Sequence, residues 1–448
     1  MTDVFAGLRA RIAQEKAVHR IGRIREIGAG VIVLSGLSTG VGLGDRVMIS
    51  MRGLDVGGEV LRLSPDGLVV LPDGPIEGAR IGDKVRLIGR AEIAPDLSWV
   101  GRVIDPFGQP LDGRPLFSGQ LPYALRRAPP PAAKRRLLGD RLETGLSAFN
   151  TLLPLVKGQR LGLFAGSGVG KSSLLGQFAR GVAADIVVIA LVGERGREVR
   201  EFTDHILGAE GMARSVVVAA TSDQSPLTRR RCLWSAMAIA EYFRDLGLHV
   251  LLLADSVTRF AEAHREIALA AGEEGSLRGF PPSTSQTIMG LAERAGPGRE
   301  ETDCGDITAI FTVLVAGSDM DEPVADILRG VLDGHVVLDR EIAERGRFPA
   351  IDLLRSVSRS LPKAASEPEN ALISNARKLL GAWSRAELMV QSGLYAKGSD
   401  PLIDAAIKVW PDLDGFLGRT GQGRIADDFA ALKVLLAPAE TAVSHPPP

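Results

Sequence analysis

Cysteine is nearly absent. The 448 residues hold only Cys232 and Cys304, far apart and without metal-ligand spacing, which excludes a disulfide scaffold and a zinc site. Both are expected to behave as small buried apolar residues. Long hydrophobic runs are missing too: the best, Ile186 to Val192 and Val250 to Ala254, fall far short of the roughly 20 residues that span a bilayer. The opening MTDVFAGLRARIAQEKAVHR lacks the apolar stretch of a signal peptide, so a cytoplasmic or peripheral protein is expected. Neither sign of charge is in excess. With 53 Lys and Arg against 54 Asp and Glu, no uniform basic field exists for sequence-independent nucleic-acid binding, and any polyanion must be met locally. Aromatic residues are scarce at 5%, which argues against base-stacking platforms. Glycine is abundant, at 52, and points to tight turns and phosphate-type loops.

Between residues 19 and 92, short alternating stretches (RIGRIREIG, GVIVLSGL, DRVMISM, GGEVLRL, GLVVLPDG, DKVRLIG) are cut by Gly about every ten residues, the pattern of a small β-barrel. In residues 1 to 92 the only aromatic is Phe5, so an oligomerisation role fits this barrel better than RNA binding. Residues 1–18 are expected to form an amphipathic segment, with Val4, Phe5, Leu8 and Ile12 at helical spacing. It reads either as a frayed terminus or as a docking helix for a partner or an acidic membrane surface. RRAPPPAAKRR, residues 126 to 136, predicts an extended connector, because its prolines preclude regular structure. Within residues 93–355, β-runs (LGLFAG, IVVIALVG, SVVVAA, HVLLLAD, ITAIFTVLVAG) alternate with helical stretches, which predicts an α/β domain with a parallel sheet covered on both faces. After Pro349 the text reads as helical, giving a helical domain over 356–436, and AETAVSHPPP places a disordered tail at 437–448.

The strongest chemical signal is LGLFAGSGVGKSS, residues 161 to 173, where a β-run enters a Gly-rich loop and opens a helix. Gly166, Gly168 and Gly170, with Ser167 and Val169 between them, let backbone N–H groups curl around phosphate oxygens at the positive end of the helix. Lys171 reaches the β- and γ-phosphates, the Ser172 hydroxyl ligates Mg²⁺, and Ser173 continues the cradle. Ala165 stands where the motif begins with Gly. Asp255, closing the apolar run LHVLLLAD, is the second Mg²⁺ candidate. Hydrolysis needs a base as well. Glu194 in LVGERGREV, at the carboxyl end of a strand, is that candidate, with Glu198 behind it. Arg195 and Arg259 could neutralise charge developing on the γ-phosphoryl group.

Those motifs, together with RGFPPS, LDGHVVLDREIAERGRFPAIDLLRSVSRS and GLYAKGSDPLIDAAI, closely resemble the flagellum-specific ATPases of bacterial flagellar protein export. These are relatives of the catalytic subunits of rotary ATP synthases and of virulence secretion ATPases. The resemblance runs from residue 19 to about 435. It implies a RecA-like P-loop core with a β-barrel collar and a helical carboxyl domain, assembled as a homo-hexamer with MgATP at subunit interfaces. Arg359 in RSVSRS then matches the arginine finger given to a neighbour, Phe348 the aromatic that packs on adenine, and Tyr395 the closure of its other side. The implied partners are a stator-like regulator, a central stalk subunit, the export gate and substrate–chaperone complexes, with peripheral contact at the inner membrane beneath the flagellar base and no nucleic acid. Asp306 stands where relatives usually carry Ser.

Several readings compete. A non-catalytic ring subunit would keep the loop and lose Glu194. A ring helicase or transcription terminator would carry aromatics in its barrel. A virulence secretion ATPase and a true synthase subunit share the core. GSGVGKS, GERGREV and GSDPLID favour the flagellar branch, and no acidic rotor-contact loop is recognisable after residue 380.

Overall fold

The structure, a computed structural model, describes residue 12 and residues 18–444 except 29, 38, 66, 316–319 and 422. The amphipathic segment expected at the amino terminus lies almost wholly outside the described residues.

Six strands, β1 (Ile21–Gly28), β2 (Val31–Ser35), β3 (Arg46–Met51), β4 (Leu54–Ser64), β5 (Gly67–Pro72) and β6 (Lys84–Gly89), close a barrel in the order β1-β2-β5-β4-β3-β6. Their alternation is the cause: Ile24, Ile32, Leu34, Val47, Ile49, Val60, Val70 and Val85 fill the interior while the intervening residues face out. A short ribbon, β7 (Glu92–Ile93) with β9 (Tyr123–Ala124), follows the barrel. The barrel is fixed to the core by charge. Glu59 of β4 accepts hydrogen bonds from Arg126 (2.9 Å) and Arg230 (2.7 Å), and both guanidinium groups lie over the Trp234 ring.

The core is an eight-stranded sheet. To β8 (Arg102–Ile104) it adds β10 (Arg160–Ala165), β11 (Ile186–Glu194), β12 (Ser215–Thr221), β13 (Val250–Asp255), β14 (Ile307–Leu314), β15 (Gly334–Leu338) and β16 (Ile351–Ser358), in the order β16-β15-β10-β14-β13-β11-β12-β8. Neighbours pair parallel except β15 and β16. The central strands read as unbroken apolar runs because both faces are buried. In β11, Val187, Ile189 and Leu191 join one core, whereas Val188, Ala190 and Val192 join the other. Helices α1 (Lys171–Gly181) and, further on, α6 (Glu367–Gln391), α7 (Pro401–Leu417) and α8 (Ile425–Ser444) contribute to the first. Helices α2 (Pro226–Asp245), α3 (Val257–Ala270), α4 (Ser283–Ala292) and α5 (Pro323–Val331) cover the second.

Three expectations need correction. The segment after Pro349 is a strand, β16, before it is helical: as an edge strand it leaves Leu354 and Val357 exposed, which blurs its alternation into a helix-like pattern. Helix α8 runs past residue 436, with Leu436 and Ala439 still buried. The proline-rich connector holds one short 3₁₀ turn, Ala132–Lys134, and is pinned to the domain it leads into. Arg135 donates to the Ala295 carbonyl (3.1 Å), and Arg136 to the Cys304 carbonyl (2.6 Å) and to Asp306 (2.7 Å). Asp306 also accepts from the Gly298 N–H (2.8 Å), so this acid organises the lower rim of the sheet. Finally, Cys232 is buried but Cys304 is half-exposed, because it lies in a surface turn, where its sulfur accepts from the Arg299 N–H (3.2 Å).

Candidate active site

Every parallel strand delivers its carboxyl end to one rim of the sheet, where ligands bind in open α/β folds. From β10 the chain passes through Gly166–Gly170 into α1. Gly168 (φ 78°) and Gly170 (φ 84°) adopt left-handed backbone that other residues rarely reach. Gly170 caps α1, so Lys171, Ser172 and Ser173 occupy its first turn, at the positive end of the helix dipole. Ala165, where the motif begins with Gly, is still inside β10, paired to β14 and β15 and fully buried. No glycine is needed there.

Two acids meet this loop. Asp255 ends β13 and is buried, and its Oδ1 accepts from Lys171 Nζ and from Thr312 Oγ1 (2.8 Å). Glu194 ends β11, its Oε1 3.9 Å from Lys171 Nζ. Burial, and next the Asp255 charge, push the Glu194 carboxyl up to about 7 against the opposing pull of Lys171. Ser172, Glu194, Glu198, Phe202, Ile206 and Asp255 line one cavity of about 230 Å³. Among the described residues no hydrogen bond uses Ser172 Oγ or Asp255 Oδ2. These two hard oxygens suit a Mg²⁺ ion that takes its remaining ligands from phosphate and water. Among the described residues no group of three His, Cys, Asp or Glu could hold a metal by itself.

The arginines divide. Arg195 stands at the N-cap of the short helix Gly196–Glu201, its side chain 68% exposed and hydrogen-bonded to Glu198 (3.2 Å). Arg259, in the first turn of α3, packs its stem beside Gly193 and pairs with Glu262 at 3.0 Å. Both therefore lie around the Glu194 strand end. Phe348, half-exposed, sets its ring against Gly170. Arg359 does not join them. Strand β16 runs antiparallel, with Ile351 beside Leu338 at the loop end and Ser358 beside Gly334 at the other. Arg359 follows Ser358, roughly 20 Å along the strand from that rim, and donates to the Arg329 carbonyl (3.2 Å). Tyr395 is committed locally: its hydroxyl donates to Asp404 (3.0 Å) and to the Asp400 carbonyl (3.1 Å). No described contact joins it to Phe348.

Sequence reasoning missed Thr312, which orients Asp255, because a buried Thr in a core strand carries no local mark. It also missed Phe202 and Ile206 as cavity wall.

A Gly-rich phosphate loop, a facing pair of carboxylates and a parallel sheet with its ligand rim at the carboxyl ends define a RecA-like P-loop ATPase. The family comparisons are narrower. Residues 145–358 match the nucleotide-binding domain of the ATP synthase alpha/beta family, and residues 365–423 match the T3SS EscN ATPase C-terminal domain. The "Flagellum-specific ATP synthase" of Caulobacter vibrioides is 45% identical over 94% of this chain and 98% of its own. The "Type 3 secretion system ATPase" of Xanthomonas euvesicatoria is 42% identical over 87% of each. Among solved structures, the assembled ATPase EscN of the enteropathogenic E. coli type III secretion system superposes with a TM-score of 0.85 at 35% identity, over 93% of this chain and 100% of that one. The same ATPase in complex with its central stalk EscO gives 0.84. The chain belongs to the flagellum-specific ATP synthase family, within the ATP synthase alpha/beta group.

Proposed function

We propose that the chain is the ATP hydrolase of a flagellar protein-export apparatus, converting ATP and water to ADP and phosphate in a ring. The observation that carries the reading is Glu194, a carboxylate lining the same cavity as Ser172 and Asp255. A subunit that only bound nucleotide would need the loop but no such base.

The backbone N–H groups of Gly166–Gly170 and the first turn of α1 take the β- and γ-phosphates, and Lys171 adds a point charge. Ser172 and Asp255 would hold Mg²⁺, which would neutralise charge on the phosphates. Glu194 orients the attacking water and accepts its proton; a carboxyl raised towards neutrality is matched to that task. Arg195 and Arg259 lie where charge grows on the γ-phosphoryl oxygens. Phe348 stacks on the adenine beside Gly170. Tyr395 is the candidate for the other side of the base, with its hydroxyl held by Asp404 and the Asp400 carbonyl.

Arg359 sits at the far end of its own sheet, which supports a role at a neighbouring subunit's triphosphate, with nucleotides at the interfaces of a homo-hexamer. The assembled ATPase EscN and its complex with its central stalk EscO support both an assembled form and a stalk partner for this chain. A stator-like regulator, the export gate and substrate–chaperone complexes complete the assignment, at the cytoplasmic face of the inner membrane. Among the described residues no helix is long and apolar enough to cross a membrane. A virulence secretion ATPase is the second reading, favoured by the Xanthomonas relative and the EscN-type carboxyl domain.

Phosphate release from MgATP tests the chemistry. Glu194→Gln is expected to keep nucleotide binding and lose at least about 100-fold in turnover; unchanged turnover removes Glu194 from the role of base. Restored motility in a strain lacking its flagellar export ATPase tests the branch, and restoration only of virulence secretion would transfer the chain to the second reading.

A further inference from the structure

The segment after Glu194 does not continue as a regular helix. Gly196–Glu201 is α-helical, but Phe202–Leu207 is a π-helical turn, and α-helix resumes at Gly208–Met212. Such turns insert one extra residue into a helix, weaken its hydrogen bonding and persist where something else holds them. Here the phosphate-loop helix does. A methyl group at Gly176 of α1 would overlap Ile206 Cγ2 and lie 3.3 Å from the Ile206 carbonyl oxygen, so the turn approaches α1 more closely than any side chain allows. One turn further along α1, Arg180 donates from Nη1 to the Ile206 carbonyl, while its stem packs under Gly211 and beside Leu207. On its other side the turn presents Phe202 and Ile206 to the cavity shared by Ser172, Glu194 and Asp255.

Helix α1 carries the phosphate ligands at its start, and the chain that ends in the π-turn begins at Glu194. We propose that the turn Phe202–Leu207, locked to α1 through Gly176 and Arg180, is the positioning element that sets the distance between Glu194 and the bound triphosphate. The inference rests on the hydrolytic reading above. Gly176 supplies closeness and Arg180 supplies register. Neither touches substrate, so both act through Glu194. Ground-state affinity depends on the loop and Lys171, which the clamp leaves in place, so loosening the clamp lowers kcat while KM stays near its original value.

The test compares steady-state MgATP hydrolysis by the full-length chain with Arg180→Ala, Arg180→Lys, Gly176→Ala, Ile206→Ala and the double variant Gly176→Ala/Ile206→Ala, alongside Glu194→Gln. Expected is a kcat loss of about tenfold in Arg180→Ala and Gly176→Ala, with KM within about twofold. Partial recovery is expected in Arg180→Lys, and recovery over Gly176→Ala in the double variant, where the overlapping methyl is gone. Unchanged kcat in both Arg180→Ala and Gly176→Ala, with Glu194→Gln inactive, overturns the positioning role and leaves the hydrolytic reading standing. Loss of kcat together with a lowered melting temperature and no recovery in either rescue variant also overturns it, because the clamp would then be merely structural. If Glu194→Gln hydrolyses as fast as the wild-type chain, the underlying reading fails, and the inference with it.

Discussion

At the scale of single residues, the site depends on a carboxylate kept in an unfavourable place. Glu194 is raised to about 7 by burial and by Asp255, and Lys171 offsets this only in part because it is committed to Asp255. Since folding raises this pKa from its ordinary 4.5, the fold favours the protonated form. That contribution is complete below pH 4.5 and is lost as pH rises through about 7. Glu194→Gln removes the dependence. Melting curves of the nucleotide-free protein are therefore expected to place the variant above the wild-type chain at pH 8, with the gap closing between pH 7 and 4.5. A constant gap across that window would show that Glu194 is not held against its ionisation. Much of the site was readable at this scale, because phosphate chemistry demands glycine, Lys and Ser in fixed order at a strand end. Arg359 was not: it follows an edge strand as ordinary loop sequence, and only the family resemblance singles it out.

At the scale of elements, the alternation of β-runs and helical stretches from Leu161 onward is legible, because a parallel sheet buried on both faces needs continuous apolar strands. Strand β16 escaped detection for the converse reason, as its edge position leaves apolar residues in water. The π-turn left no compositional trace, since one added residue in a helical turn changes geometry and not residue type. The barrel was legible from its turns, but its attachment was not. Glu59 joins β4 to Arg126 and to Arg230, whose side chain is only 4% exposed. Glu59→Ala leaves the Arg230 charge buried without its partner, which is expected to cost about 3–5 kcal/mol. Glu59→Gln, which retains an acceptor, should cost less. Urea unfolding followed by Trp234 fluorescence measures this, and equal midpoints for all three chains would mean that the pair does not hold the barrel to the core.

At the scale of the whole molecule, one sheet carries the two proposed halves of a catalytic site at opposite ends. The loop, Glu194, Asp255 and Phe348 lie at the carboxyl rim, while Arg359 lies at the other end of β16. No bending of a packed sheet unites them within one chain. A heterologous interface repeated around a closed ring does unite them, because each subunit gives one end and receives the other.

The direct measurement is MgATP turnover in rings reassembled from Arg359→Ala and Glu194→Gln chains mixed in varying proportion, each inactive in rings of its own. If Arg359 completes the neighbour's site, an Arg359→Ala chain that receives from a Glu194→Gln chain has an intact Glu194 and an intact Arg359. Mixing should then restore turnover, at about one quarter of the sites at equal proportion. No turnover at any proportion would mean that both groups must come from the same chain, and would contradict the account.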